Sequence, residues 1–190
     1  MDPKVLIMGF LALPVLASAQ GFDYTYVEGG YVNSELDTGL ANVDGDGLGL
    51  RGSLALNDKF HTFAKHATQD LDLDVDTTEI EIGAGRSWRI RENVDFIGEI
   101  SWVNAEVDTP FGNTDEDGFG LGAGLRARTN SSLELEGRIN YVDLNNSDTS
   151  FSLLGRYYLW DSFAIGGGLD FDDDDTAWNV GVRAEFGNRD

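Results

Sequence analysis

Along most of this chain apolar and polar residues alternate one by one, the period of an extended strand whose two faces meet different surroundings. GLGLRGSLAL, Gly47 to Leu56, sets Leu48, Leu50, Leu54 and Leu56 against Gly47, Gly49, Arg51, Ser53 and Ala55. DGFGLGAGLRARTN sets Phe119, Leu121, Ala123 and Leu125 against Gly118, Gly120, Gly122, Gly124, Arg126 and Arg128. LELEGRINY opposes Leu133, Leu135, Ile139 and Tyr141 to Glu134, Glu136, Arg138 and Asn140. AWNVGVRAEF opposes Trp178, Val180, Val182, Ala184 and Phe186 to Asn179, Gly181, Arg183 and Glu185. The alternation predicts strands over 22–33, 46–56, 60–68, 78–88, 95–106, 117–128, 132–143, 150–159, 163–171 and 177–187.

One face of these segments is apolar and nearly free of charge, and the other carries Glu and Arg together. No amphipathic helical pattern is available to cover the apolar faces. Segments of about ten residues have the length a tilted strand needs to cross a bilayer. The breaks alternate between short (57–59, 89–94, 129–131, 160–162) and long (34–45, 69–77, 107–116, 144–149, 172–176). Tight turns on one side of a membrane and longer loops on the other give that rhythm. The expected fold is all-β: an up-and-down antiparallel transmembrane β-barrel of about ten strands with both ends on the short-turn side. Eight strands is the alternative, if 22–33 and 60–68 are loop.

The stretch QDLDLDVDTTEIEIGAG, Gln69 to Gly85, fixes the membrane edge within that scheme. Asp70, Asp72, Asp74 and Asp76 occupy even positions, whereas Glu79 and Glu81 occupy odd ones. With Ile80 and Ile82 facing lipid, Glu79 and Glu81 face the lumen, and the Asp ladder continues the lipid-facing parity. A charge there costs a few kcal/mol near mid-membrane. The ladder is therefore expected above the hydrocarbon, in a loop or a protruding hairpin.

The chain begins with Lys4, an apolar run from Val5 to Leu16, and small residues at Ala17 and Ala19. That is the order of a secretory signal peptide, expected over 1–19, with the barrel over 20–190. No other segment is long and apolar enough for a transmembrane helix. Cysteine is absent, so disulfides and thiolate chemistry are excluded. The formal charge of −21 argues against a nucleic-acid partner, which needs a positive groove.

Three sets of residues remain as candidates for function. Lumen parity gathers Glu28, Arg51, Lys65, Glu79, Glu81, Glu99, Arg126, Glu134, Glu136, Arg138, Arg156, Arg183 and Glu185. Both signs occur, so the side chains are expected to pair across a filled lumen. The alternative is a charged constriction in a narrow, cation-preferring pore. Acidic breaks form the second set: Glu35, Asp37, Asp44 and Asp46, then Asp70, Asp72, Asp74 and Asp76, then Asp108, Asp115, Glu116 and Asp117, then Asp172, Asp173, Asp174 and Asp175. These are expected to be solvated loops that keep the surface soluble; the alternative, since carboxylate oxygens suit hard cations, is weak Ca²⁺ or Mg²⁺ binding at Asp70, Asp72, Asp74, Asp76 and Asp172–Asp175, bridging to lipopolysaccharide phosphates. NVDGDG, Asn42 to Gly47, partly matches a Ca²⁺ loop but lacks its distal Glu. Aromatics form the third set. Trp88, Phe96, Trp160, Phe163 and Phe186 fall near the short turns, and Tyr31, Trp102, Phe119, Tyr141, Phe171 and Trp178 near the long breaks, as two interfacial girdles would. Catalysis has no comparable support. His61 and His66 fall on opposite faces of one strand, and neither joins a Ser and an Asp by sequence logic. An outer-membrane enzyme is the weakest of the readings.

The amino-terminal segment together with YTYVEGGYVN (Tyr24 to Asn33), GDGLGLRGSLALNDKFHTF (Gly45 to Phe63) and IGAGRSW (Ile82 to Trp88) resembles small single-domain outer-membrane β-barrel proteins of Gram-negative bacteria. These are short barrels once discussed as secreted signalling or immune-elicitor proteins, similar more distantly to OmpA- and OmpX-type barrels. The resemblance implies an exported monomer in the bacterial outer membrane, in contact with lipid and lipopolysaccharide. It speaks to location and fold more than to activity and supplies no catalytic residue; the acidic outer loops themselves lead us to expect a structural or surface-interaction role with no cofactor. Phe186 stands where such chains end on an aromatic, but four residues follow it, Gly187-Asn188-Arg189-Asp190.

Overall fold

A sheet surrounded by solvent that offers no hydrogen bonds is stable only if its two edge strands pair with each other. This chain does so. The computed structural model describes residues 22–37, 42–72, 74–129, 132–172 and 175–187. Among them run β1 (Tyr26–Asp37), β2 (Asn42–Ala55), β3 (Phe60–Leu71), β4 (Val75–Arg91), β5 (Val94–Thr109), β6 (Gly112–Arg128), β7 (Leu133–Asp143), β8 (Ser147–Trp160), β9 (Phe163–Phe171) and β10 (Asp175–Glu185). Each pairs antiparallel with its sequence neighbours, and β1 closes on β10 with Tyr26 opposite Glu185 and Tyr31 opposite Val180. The ten-strand expectation holds and the eight-strand one does not. Residues 1–19, read as the export signal, lie outside the described residues, as do Asp173, Asp174 and the side chains of Asp37 and Asp175.

The strands run further than the alternation suggested. The break expected over 107–116 shrinks to Pro110 and Phe111 between β5 and β6, and that over 69–77 to residues 72–74. The reason is that backbone pairing does not stop where lipid stops. Thr77, Thr78, Val107 and Thr114 are good strand residues in water, and they carry the ladder upward as protruding hairpins. Asp74 (φ 57°) and Gly112 (φ 147°) take the left-handed conformations at two of the tips. Asn42 to Gly47, considered as a Ca²⁺ loop, lies within β2, where alternate side chains leave opposite faces; that reading fails on geometry.

The outer face is apolar, and among the described residues no second layer packs against it. Leu48, Leu50, Ile82, Ile100, Leu121, Leu135, Leu153 and Val180 are all exposed, Ile100 to 60%. A continuous exposed belt of this kind requires an apolar solvent. Aromatic pairs rim it at both heights. Trp88 packs on its cross-strand partner Phe96 (ring centroids 5.4 Å) and Trp160 on Phe163 (5.5 Å) at the short-turn side. Tyr31 meets Trp178 (5.8 Å), and Phe119 meets Tyr141 (6.1 Å), at the hairpin side.

The inner face holds large side chains beside glycines. At Gly85 a β-carbon would stand 2.4 Å from the His61 ring, and at Gly83 one would stand 2.5 Å from the Phe63 ring. These glycines on β4 make room for the bulky inward residues of β3, so here glycine fills the lumen with its neighbours' rings rather than emptying it.

Candidate functional site

All thirteen candidate lumen charges occupy inward positions, and they separate by height into two groups. In the half nearer the short turns, alternate positions on β7 carry Glu134, Glu136 and Arg138 up one wall. Arg156 on β8 donates from Nη1 to Glu134 Oε1 (2.8 Å) and lies 3.2 Å from Glu136 Oε2 through Nη2. Arg126 on β6 donates to the same Glu134 oxygen (3.2 Å). Arg138 lies between Glu136 and Glu99, and Arg51 on β2 donates to Glu99 Oε1 at 2.7 Å. The result is an unbroken sequence of alternating charges, Arg126–Glu134–Arg156–Glu136–Arg138–Glu99–Arg51, that crosses the barrel from β6 to β2. A second pair, Arg183 with Glu28 (2.9 Å), straddles the β10–β1 seam that closes the sheet. Glu185 is buried below it.

This band excludes solvent. Arg51, Arg126, Arg156 and Arg183 are each at most 1% exposed. Aromatic rings seal it, and they were not among the candidates drawn from the sequence. The Arg183 guanidinium sits 3.1 Å from the centroid of Tyr26, Arg51 4.2 Å from Phe63, and Arg126 between Phe22 (4.7 Å) and Tyr24 (4.9 Å). A planar cation stacks on a ring face more readily than it gives up water for nothing. Tyr24 also stacks on His61 (4.9 Å) and donates its hydroxyl to Asp95 (3.1 Å), and His61 Nε2 lies 3.0 Å from Glu99. Parity would have found them: Tyr26, His61, Phe63, Asp95 and Tyr158 stand on the inward positions of their strands, and Tyr24 has the same parity just ahead of β1. His66 points outward, as its parity required.

Towards the hairpins the lumen changes character. Lys65 pairs with Glu81 across the β3–β4 ladder, and Glu79 stands one inward position higher. Asn179 donates to Asp170 (3.0 Å), and Ser34 to Gln69 (3.4 Å). Arg51 is the ladder neighbour of Lys65, so the two groups meet at this level.

On the outside, above the apolar belt, the register brings four carboxylates side by side. Asp46 lies opposite Asp70, Asp70 opposite Asp76, and Asp76 opposite Asp108, a row across β2, β3, β4 and β5. All four are exposed. One step along the β5–β6 hairpin, Asn104 donates to Asp115 (2.6 Å) and Asp117 (3.2 Å). The expected protruding hairpin is thus observed, with β4 passing from Asp76 outward to Glu79 and Glu81 inward without any break in pleat. Asp72 and Asp74 lie in the tip, off the row, and Asp172 lies at the end of β9. Among the described residues no three acidic or histidine side chains converge as a metal ligand set. The row is a surface, not a cage.

The sequence matches the outer membrane protein beta-barrel domain over residues 5–186. The chain belongs to that family. Outer-membrane β-barrels of other proteins share the architecture at low identity. The NanC porin superposes with a TM-score of 0.50 at 11% identity, covering 85% of this chain and all of its own. The translocator domain of the autotransporter NalP from Neisseria meningitidis gives 0.52 at 10% identity, covering 87% of this chain and 90% of that one. Such identities speak to the fold alone. No curated protein matches the sequence.

Proposed function

We propose that this outer-membrane β-barrel is a surface-interaction protein, a monomer that holds an acidic array at the level of the lipopolysaccharide head groups while its own lumen stays shut. The in-register row Asp46–Asp70–Asp76–Asp108 carries this reading. Like charges directly opposite one another on a sheet destabilise it. Four in succession therefore call for counter-charge from outside the chain. Divalent cations supply it and have coordination sites left for a second anion, so the row binds Mg²⁺ or Ca²⁺ weakly and shares the ions with lipopolysaccharide phosphates. The Arg–Glu band, with Arg51, Arg126, Arg156 and Arg183 at most 1% exposed, supports the second half of the proposal over the narrow-pore alternative.

The test is binding of the chain, refolded in micelles, to purified lipopolysaccharide with Mg²⁺ or with EDTA. Affinity is expected to fall when the cation is removed, and the variant carrying Asn at Asp46, Asp70, Asp76 and Asp108 is expected to bind equally weakly in both conditions. Unchanged, cation-dependent binding by that variant would remove the role assigned to the row.

A further inference from the structure

We propose that the upper lumen holds a single dehydrated alkali cation on Glu79, a site that goes beyond the surface reading above. A cavity of ≈ 20 Å³ lies inside the barrel wall, bordered by Lys65, Glu79, Glu81, Glu99, Gly122 and Asn140. Its volume admits about one sphere the size of a water molecule. Glu79 is 8% exposed, and its Oε2 is buried without a hydrogen-bond partner. The other acids of this cavity are engaged: Glu81 with Lys65, and Glu99 with Arg51, Arg138 and His61. Lys65 contacts Glu81, and Glu79 Oε2 is left without a partner of its own, so an ionised Glu79 calls for a counter-charge in this cavity.

Charge, size and donor type then select the occupant. A buried carboxylate without a partner is costly, and one positive charge relieves it. A divalent ion would leave an excess positive charge in a largely buried place. An organic ammonium is too large for the space. The oxygen groups bordering the cavity belong to the Glu79 and Glu81 carboxylates and the Asn140 amide, and carboxylate and amide oxygens suit a hard cation.

The experiment replaces choline chloride by NaCl at constant ionic strength and follows thermal unfolding of the chain refolded in micelles. It is run in the background that carries Asn at Asp46, Asp70, Asp76 and Asp108, so that ions held by the outer row do not contribute. A ligand bound only by the folded state raises Tm with its concentration. Tm is expected to climb by several degrees and level off, and Glu79→Gln is expected to abolish the climb. Sodium NMR gives a second readout on folded protein: line broadening that K⁺ displaces, choline does not, and Glu79→Gln removes. A Tm that does not change when Na⁺ replaces choline, or broadening that survives Glu79→Gln, would overturn the proposal. Stability that varies with pH but not with Na⁺ would overturn it as well, since a proton would then neutralise Glu79.

Discussion

Carboxylates crowd two regions of this barrel and do opposite work in them. In the lower lumen Glu28, Glu99, Glu134 and Glu136 each meet at least one guanidinium, and the whole band is out of water. On the hairpins Asp46, Asp70, Asp76 and Asp108 meet one another and face solvent. The same chemical group is a structural strut in the first place and an unsatisfied surface in the second. What decides is the partner across the ladder: Glu134 faces Arg128 on β6 and Arg156 on β8, and Glu136 faces Arg126 on β6, whereas Asp76 on β4 faces Asp on both sides. Removing an acid should therefore harm the barrel inside and help it outside.

The largest effect is expected at Glu99, which holds Arg51, Arg138 and His61 together. Glu99→Gln leaves two buried guanidinium groups short of their counter-ion and should destabilise by about 3–5 kcal/mol. Urea unfolding followed by tryptophan fluorescence measures this, and a loss below about 1 kcal/mol would mean that water reaches the band and screens it.

A smaller effect separates lipid from water along one outer face. Ile100→Arg places a charge in the middle of the apolar belt and should cost about 2–4 kcal/mol. Asp76→Arg, on the neighbouring strand but within the acidic row, should cost nothing and relieve repulsion. Equal costs at the two sites would put the membrane edge in the wrong place.

The smallest effect has the opposite sign. Asp76→Asn removes a charge flanked by Asp70 and Asp108 and should stabilise by up to about 1 kcal/mol at low salt. The gain should vanish near ~1 M salt, where the screening length falls to about 3 Å. Mg²⁺ should shrink it at far lower concentration if the row binds divalent ions as proposed.

The barrel was legible in the chain because lipid on one face and a lumen on the other impose a strict parity, and parity is visible residue by residue. The inward placement of Arg51, Glu99 or Arg183 followed from it. The strand ends were not legible, because Thr77, Val107 and Thr114 lie in hairpins with water outside, where apolar alternation lapses but pairing does not. Nor were the pairings. Which glutamate meets which arginine depends on where non-adjacent strands such as β2, β5 and β7 bring their side chains across the lumen, and no local pattern records it. The Asp row was hidden for a related reason: Asp46 and Asp108 stand far from the Asp70–Asp76 stretch in sequence and reach it only through the register.

The closed lumen is tested most directly by single-channel recording of the refolded chain in planar bilayers. With Arg51, Arg126, Arg156 and Arg183 packed into a sealed band, insertion should leave the membrane silent. Steady cation-selective conductance steps in the same preparation would contradict it.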